Sequence, residues 1–323
     1  MIRFGIIGTG KISHTFMGAA RNVPGFHLEA VYSRSEVKGR EFAQSYGADK
    51  IYSSLEALAN DCNVDAVYIA SPNSAHCSQA VFLLNHGKHV LCEKPIASSV
   101  GELADMAAAA DAKGKLLLEA MRPVFDPGFA KIRELLPKLG QIRRAVFQYC
   151  QYSSRYDAFK EGVIENAFNP ALSNAALMDI GVYCIRPMVA LFGRPKGVTA
   201  AGIFLHNHME GAGTVLMDYG HMLGEARYSK ITHSLQPSEI QGEDASMLIW
   251  QIQDTRKIQI IYRDSGRETY EIEKEDNNMY YEILSFTELA GNGDGQGKEY
   301  LKDSFMELEV LDQVRKITGI CFE

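Results

Sequence analysis

Short apolar runs alternate with longer amphipathic segments over the first third of the chain. The apolar runs lie at 3–7, 27–32, 66–70, 89–92 and 116–120, with a shorter one at 51–52. Continuous apolar runs of this length are typical of parallel strands that are covered on both faces. The segments between them have helical periodicity, so the pattern predicts a doubly wound α/β sheet with right-handed crossovers.

The pattern changes after Met121. Polar and apolar residues alternate over 143–149, and further short runs separated by turns follow at 197–205, 213–219, 224–228, 239–241, 245–249 and 257–262. Strands in direct succession predict a mostly antiparallel, open sheet. Helices are expected at 129–136, 279–289 and 304–318, with a loop at 292–297. We therefore predict two domains, a doubly wound α/β domain over residues 1–121 and an α+β domain over residues 122–323.

Composition and charge narrow the class of protein. The 323 residues carry a net charge of −7 with mixed signs and no basic cluster, which argues against nucleic acid and anionic membranes as partners. No apolar stretch is expected to span a membrane, and the N-terminus has the pattern of a first strand rather than of a signal peptide. The six cysteines are scattered, so neither a metal site nor a disulfide framework is expected. These features predict a cytoplasmic protein with buried free thiols.

A glycine turn follows the first predicted strand. Gly8 permits a tight turn, and Gly10 lets the backbone approach a pyrophosphate because no Cβ stands in the way. The helix that begins after Gly10 offers free N–H groups and the positive end of its dipole to the phosphates. A third glycine is replaced by Ser13, which is small enough for close packing of helix and strand. The predicted cofactor contacts in this turn are Gly8, Thr9, Gly10, Lys11 and Ile12.

The end of the second predicted strand is where such folds bind the adenosine ribose. An acidic residue there favours NAD, whereas this chain has Ser33 and Arg34, with Lys38 one helical turn further on. A hydroxyl and a guanidinium suit a 2′-phosphate, so we expect NADP in preference to NAD. The alternative is that Arg34 stacks on the adenine ring.

Two further strand ends carry polar residues on the edge where open α/β sheets bind ligands. Ser71-Pro72-Asn73 follows one strand, and His76 begins the next helix, where it either lines the cofactor site or only caps the helix. Glu93-Lys94-Pro95 follows the next strand, and its proline forces the chain out of the sheet. Lys94 is therefore a candidate catalytic residue. The predicted cofactor contacts at this edge are Ser71, Pro72, Asn73, His76, Glu93 and Lys94.

One helical segment, 174–187, interrupts the second sheet. Asp179 and Tyr183 are four residues apart, so their side chains project from one face of the helix. Pro187 lacks the N–H that would bond to the carbonyl of Tyr183, and a kink or helix end is expected just past the tyrosine. Beside a nucleotide-binding domain and a strand-end lysine, this carboxylate and phenol are candidates for catalysis.

These motifs occur in the order seen in the glucose–fructose oxidoreductase/inositol dehydrogenase (Gfo/Idh/MocA) family, which the chain resembles over essentially its whole length. The most specific are Glu93-Lys94-Pro95 and Met178-Asp179-Ile180-Gly181-Val182-Tyr183. The sequence is most similar to the branch of glucose–fructose oxidoreductase and dihydrodiol or xylose dehydrogenases, which has Tyr where inositol dehydrogenases have His. The resemblance implies a Rossmann domain, a nicotinamide cofactor, Lys94 as catalytic lysine, Tyr183 as acid/base and Asp179 as the carboxylate that faces the substrate.

Two stretches depart from the family pattern. Asn174-Ala175 stands where the family often has a Gly-Gly pair, and Arg122-Pro123-Val124-Phe125-Asp126 replaces an aromatic-Arg stretch. Both changes concern the substrate pocket, so they leave the substrate open more than the type of reaction. Candidates for lining this pocket are Tyr149, Tyr152, Arg155, Tyr156, Phe168 and Asn169.

The expected reaction is hydride transfer between a nicotinamide and a sugar, polyol or related carbonyl or alcohol. A tyrosine hydroxyl is ordinarily protonated at neutral pH, and a nearby ammonium, here that of Lys94, would favour the phenolate. Asp179 would bind a substrate hydroxyl or hold Lys94. The alternatives are a glycoside hydrolase that uses its nicotinamide transiently and a non-catalytic NAD(P) sensor, although the presence of all three residues argues against a sensor. Relatives commonly pair through the open sheet, which predicts a homodimer or homotetramer.

Overall fold

The structure is a computed structural model that describes residues 1–292 and 297–322. The chain forms two compact units, each built around one sheet. The first unit contains residues 1–120 and 275–304, and the second contains residues 121–274 and 305–323.

The first unit contains a six-stranded sheet in the order β3-β2-β1-β4-β5-β6, with every pair parallel. Its strands are β1 (Ile2–Ile7), β2 (Phe26–Tyr32), β3 (Lys50–Tyr52), β4 (Ala66–Ile69), β5 (His89–Glu93) and β6 (Leu117–Ala120). The helices between them are α1 (Lys11–Ala20), α2 (Glu36–Tyr46), α3 (Leu55–Asn60), α4 (His76–Asn85) and α5 (Val100–Lys113). The prediction of a doubly wound parallel sheet is confirmed. The order reverses between β1 and β4, which is the switch point where such sheets bind ligands.

The helix boundaries follow local sequence signals. The side chains of Ser54 and Ser99 accept hydrogen bonds from backbone N–H groups in the first turns of α3 and α5, which satisfies donors that a helix start leaves unpaired. Gly47 and Gly114 end α2 and α5 in the left-handed conformation, with φ of 75° and 59°. These signals fix where the chain leaves each helix and returns to the sheet.

The second unit contains an eight-stranded sheet in the order β14-β13-β12-β11-β7-β10-β9-β8. Its strands are β7 (Ile142–Cys150), β8 (Gly197–Phe204), β9 (Glu210–Asp218), β10 (Leu223–Ser229), β11 (Ser238–Gly242), β12 (Ala245–Trp250), β13 (Lys257–Tyr262) and β14 (Arg267–Glu271). Only β7 and β10 run parallel, so the predicted, mostly antiparallel sheet is confirmed. The edge strand β14 was not predicted, because its sequence Arg-Glu-Thr-Tyr-Glu lacks the apolar residues that identify a buried strand.

Four helices of this unit precede β8 in the chain. They are α6 (Arg122–Phe125), α7 (Pro127–Leu135), α8 (Tyr156–Lys160) and α9 (Val182–Phe192), with 3₁₀ turns at Leu136–Leu139, Asn166–Phe168 and Pro170–Leu172 and a π-helical turn at Leu177–Gly181. Helix α9 packs against β7 and β10 at the centre of the sheet. Ile203 and Leu216, on β8 and β9, are exposed. Association of copies through the open sheet stays a prediction.

Two long helices end the chain, α10 (Met279–Asn292) and α11 (Gly297–Thr318). Residues 275–304 cluster with the first unit, whereas the sequence analysis placed them in the second. Phe286 is fully buried with its ring 5.6 Å from that of Phe4, and the Asn277 side chain donates to the carbonyl of Thr15 at 2.7 Å. An amphipathic pattern predicts a helix but does not specify which sheet it covers. The loop predicted at 292–297 lies largely on residues 293–296, which are outside the described ranges.

One helical run, Pro170–Phe192, is long and apolar enough to cross a membrane, but 78% of its apolar window is buried inside the protein, as in a core helix. All six cysteines are free. Only Cys92 and Cys184 are buried, and Cys62 and Cys321 are exposed, so the prediction of buried thiols is correct for two of the six. Within the two described ranges, no three His, Cys, Asp or Glu side chains form a group that could hold a metal ion.

Candidate active site

The glycine turn lies at the carboxyl end of β1. Gly8 has a φ of +100°, and a Cβ there would approach the carbonyl oxygen of Ala70 to 2.7 Å, so only glycine fits. A Cβ at Gly10 would meet nothing within 4 Å, which leaves open space in front of the first turn of α1. Gly10 precedes the first residue of α1 and has no side chain that could cap the helix. The N–H groups of the first turn of α1 are therefore available to an anion. The turn therefore fits a dinucleotide pyrophosphate.

The other residues of this turn that are predicted to contact cofactor differ in their exposure to solvent. Lys11 and Ile12 are exposed and Thr9 is half-buried, so all three are accessible to a ligand. Ser13 is fully buried under α1, as expected for a small residue at a close helix–strand contact.

The residues after β2 present two cations to solvent. Arg34 and Lys38 are exposed, and no carboxylate among residues 1–292 and 297–322 forms an ion pair with either of them. Ser33 is buried, and its hydroxyl accepts the N–H of Ser35 at 3.2 Å, so it supports the turn. Unpaired cations at this position suit a 2′-phosphate.

The turn that carries Lys94 is held by residues of β6 and α4. The N–H of Ile96 donates to Oε1 of the buried Glu119 at 2.9 Å, and the carbonyl oxygen of Pro95 lies 3.0 Å from Nδ1 of His76. Lys94 itself is half-buried. The two residues that follow the lysine are held by these partners, and neither contact uses the lysine side chain.

Glu93 and His76 have supporting roles in the structure. Glu93 is buried and accepts the Tyr68 hydroxyl at 2.5 Å, while the Tyr68 ring stacks on Phe16 of α1 at 3.8 Å. His76 is fully buried, and Nε2 lies 3.0 Å from the carbonyl oxygen of Ser71. Burial lowers the pKa of His76, although the two facing carbonyls raise it. Full burial argues against the predicted direct contact of His76 with cofactor, and the ring instead joins the ends of β4 and β5.

The residues after β4 remain accessible. Ser71, Pro72 and Asn73 are half-buried and lead into α4 through a 3₁₀ turn, Asn73–Ala75. The Ser71 hydroxyl donates to the Gln79 side chain at 2.7 Å. These three predicted contacts and Lys94 therefore follow adjacent strands at the ligand-binding edge of the sheet.

In the second unit, Asp179 lies in a π-helical turn that runs directly into α9. Of the predicted kink or helix end past Tyr183, the helix end is wrong, because α9 accommodates Pro187 and continues to Phe192. The irregularity instead precedes the tyrosine. A π-helical turn within a helix is frequently found at functional sites. Gly181 ends this turn, and a Cβ there would lie 2.9 Å from the ring of Tyr228.

Asp179 forms an ion pair that the sequence analysis did not identify. Its Oδ2 lies 2.8 Å from Nζ of Lys230, whose side chain is only 2% exposed, whereas that of Asp179 is 36% exposed. Asp179 was predicted either to bind a substrate hydroxyl or to hold Lys94. The ammonium that it pairs with inside its own unit is that of Lys230. A lysine after β10 could have been found from the sequence, because Lys230 is in phase with the buried residues Ala226 and Tyr228.

Glu210 is a buried carboxylate that contacts the π-helical turn. Its Oε2 accepts the N–H of Leu177 at 2.7 Å, and its Oε1 accepts the hydroxyl of Tyr228 at 2.8 Å. Burial raises the pKa of Glu210 to about 7, against these hydrogen bonds and the charge of Lys230, which lower it. The N–H of Leu177, the first residue of the turn, is therefore held by Glu210 of β9, which is itself bonded to Tyr228 of β10.

Tyr183 is largely buried, with 8% of its surface exposed. Its ring meets that of Tyr149 edge-on, with centroids 5.7 Å apart, and the guanidinium carbon of Arg122 lies 5.3 Å from its ring centroid. The Arg122 stretch that departs from the family pattern thus supplies a cation to the face of this phenol.

Most of the other pocket candidates have structural partners. Phe168 lies in an apolar cluster with Phe159 and Met209, against which Tyr156 packs. Arg155 pairs with Glu165 at 3.0 Å, and Asn169 accepts the N–H of Ala171. The Tyr152 hydroxyl bonds to Asp157 and Lys160. Tyr149 contacts a predicted catalytic residue, Tyr183.

The parallel sheet, the glycine turn at its switch point and the accessible strand ends define a dinucleotide-binding protein with a second, mostly antiparallel domain. Residues 2–121 match the family model described as "Oxidoreductase family, NAD-binding Rossmann fold", and residues 129–248 match "GFO/IDH/MocA C-terminal domain". The chain belongs to the Gfo/Idh/MocA family of oxidoreductases, as the sequence motifs predicted.

Similar proteins include two groups of dehydrogenases. The chain is 45% identical to scyllo-inositol 2-dehydrogenase (NADP(+)) IolU of Bacillus subtilis, over 100% of this chain and 98% of that protein. It is 34% identical to trans-1,2-dihydrobenzene-1,2-diol dehydrogenase of Danio rerio, over 69% of this chain and 66% of that protein. The fold is shared with KijD10, a 3-ketoreductase from Actinomadura kijaniata in complex with NADP and TDP-benzene, with a TM-score of 0.89, 22% identity and 98% coverage of both chains.

Proposed function

We propose that this protein oxidises one hydroxyl of a cyclic polyol of the inositol type, linked to NADP, and reduces the corresponding ketone in the reverse direction. The observation that carries the proposal is the full-length 45% identity to a scyllo-inositol 2-dehydrogenase, in a chain that has Lys94, Asp179 and Tyr183. The bound dinucleotide supplies the hydride acceptor. Gly8, Gly10 and the first N–H groups of α1 hold its pyrophosphate.

The proton is handled by residues of the chain itself. In this proposal Tyr183 takes the proton from the substrate hydroxyl as oxidation proceeds and returns it during reduction. The Lys94 ammonium stabilises the negative charge that Tyr183 carries as a phenolate before it accepts the proton, and the charge that the substrate oxygen carries once the proton has left. Asp179 accepts a hydrogen bond from a neighbouring substrate hydroxyl, which suits a substrate with several hydroxyl groups.

Arg34 is expected to select NADP. In the Arg34→Ala variant, the Kd for NADPH should rise about 10- to 100-fold while that for NADH stays nearly unchanged, because a charged hydrogen bond contributes about 1.5–3 kcal/mol. Titration monitored by nicotinamide fluorescence measures both. Arg40→Ala is the matched control, since Arg40 is an exposed arginine of α2 that pairs with Glu36. Equal losses for both cofactors, or none for either, would show that Arg34 does not bind the 2′-phosphate.

The proposed activity is tested by a substrate panel with NADP⁺. The panel contains scyllo-inositol, myo-inositol, glucose, xylose and a trans-dihydrodiol, and the absorbance of the reduced nicotinamide reports turnover. We expect the highest kcat/KM for an inositol, with a ketone as product. Oxidation confined to the two aldoses or to the trans-dihydrodiol would contradict the proposal of an inositol-type substrate.

A further inference from the structure

Lys230 is a charged side chain buried within the second unit, immediately after β10. Its side chain is 2% exposed, and its backbone N–H donates to the carbonyl of Gly211 at 2.9 Å. Burying an ammonium costs free energy unless partners compensate its charge. Such a residue therefore requires an explanation from its surroundings.

The ammonium has an inner and an outer set of contacts. It donates to the carbonyl oxygen of Ala167, and Nζ lies 4.9 Å from the ring centroid of Phe168. It also forms the ion pair with Asp179, a carboxylate that keeps 36% of its side-chain surface exposed. Lys230 therefore joins the fixed 166–168 turn to a carboxylate at the surface of the unit.

The register of the strand against the π-helical turn makes this contact specific. Tyr228 and Lys230 are two residues apart along an extended chain, so their side chains project to the same face of the sheet. Tyr228 packs on Gly181, and Lys230 pairs with Asp179, which also lie two residues apart. Glu210 holds the Tyr228 hydroxyl and thereby fixes the strand beneath the turn.

We propose that Lys230 is a positioning residue, which holds the Asp179 carboxylate in the orientation that receives a substrate hydroxyl. The inference rests on the proposed function, because it assigns the substrate contact to Asp179. Lys230 is too deeply buried to contact substrate and acts only through its partner. A small misplacement of a substrate-binding group can cost a large factor in rate.

The test is a double-mutant cycle on scyllo-inositol oxidation with NADP⁺, using Lys230→Met, Asp179→Asn and the double variant. Each single change is expected to lower kcat/KM by about 10- to 100-fold. In the Asp179→Asn background, Lys230→Met should change kcat/KM by less than about twofold, because the residue through which it acts is already altered. The Kd for NADPH should stay unchanged in all variants.

Lys274→Met is the matched control. Lys274 is also a fully buried lysine of the second unit, and it pairs with Asp126 and Asp254. We expect it to lower Tm without lowering kcat/KM at temperatures where the variant is folded. If Lys230→Met does not fold, Lys230→Gln keeps a donor for the Ala167 carbonyl while removing the charge, and the same cycle applies.

The outcomes separate this inference from the proposed function. Two results overturn the positioning role alone, provided that the unmodified protein is active. In the first, the factors by which the Lys230 and Asp179 substitutions lower kcat/KM multiply in the double variant. In the second, Lys230→Met retains a normal kcat/KM. An unmodified protein that oxidises no polyol overturns the proposed function and this inference with it.

Discussion

Replacing Tyr183 with phenylalanine is expected to lower kcat for polyol oxidation by about 10²- to 10⁴-fold, the contribution typical of a general acid or base. The change removes only the hydroxyl. The ring contacts with Tyr149 and Arg122 do not use that oxygen, so the packing around α9 should persist. Steady-state kinetics with NADP⁺ and scyllo-inositol measure the effect, and fluorescence titration should show unchanged NADPH binding.

Tyr219→Phe provides the matched control for this prediction. It removes another buried phenol of the second unit, whose hydroxyl faces the sulfur of Met217 at 4.0 Å and whose ring meets that of Phe192 edge-on. We expect it to retain most of the activity. Turnover of Tyr183→Phe near that of the unmodified protein would remove Tyr183 from the mechanism.

Replacing Lys94 with alanine is expected to lower kcat by about 10²- to 10³-fold, the loss typical when one group that stabilises developing charge is removed. The turn should keep its shape, because Glu119 holds the N–H of Ile96 and His76 holds the carbonyl of Pro95. Loss of activity with retained cofactor binding would therefore report on the ammonium.

Chemical rescue separates a catalytic role of Lys94 from a structural one. Methylammonium added to Lys94→Ala should restore part of kcat, since a small cation can occupy the space that the side chain leaves. Tetramethylammonium, which cannot donate a hydrogen bond, is the matched control and should not rescue. Near-normal kcat without any added amine would contradict the assignment.

The nucleotide-binding half was predictable because its signals are local. Continuous apolar runs identify the strands, Gly8 and Gly10 identify the turn, and Pro95 marks where the chain leaves the sheet. The partners that hold this edge were not predicted. His76 of α4 and Glu119 of β6 reach the Lys94 turn from other elements, and such long-range contacts leave no periodic signal in a single sequence.

In the second half, the sequence predicted the sheet but not the geometry that positions Asp179. The π-helical turn ends at Gly181, which lies against the ring of Tyr228, a residue far away in the sequence. The pair of Asp179 with Lys230 joins residues far apart in sequence, so spacing alone could not reveal it. The parallel pairing of β7 with β10 was missed for the same reason, since successive strands suggest antiparallel neighbours.

The most direct test of the proposed reaction follows the hydrogen itself. The protein is incubated with NADP⁺ and scyllo-inositol that carries deuterium on its ring carbons, and the cofactor and product are analysed by mass spectrometry. Our account predicts one deuterium on the reduced nicotinamide, a ketone lacking one deuterium, and slower turnover than with unlabelled substrate. Reduced cofactor without deuterium, or NADP⁺ that binds but is never reduced by any polyol, would contradict it.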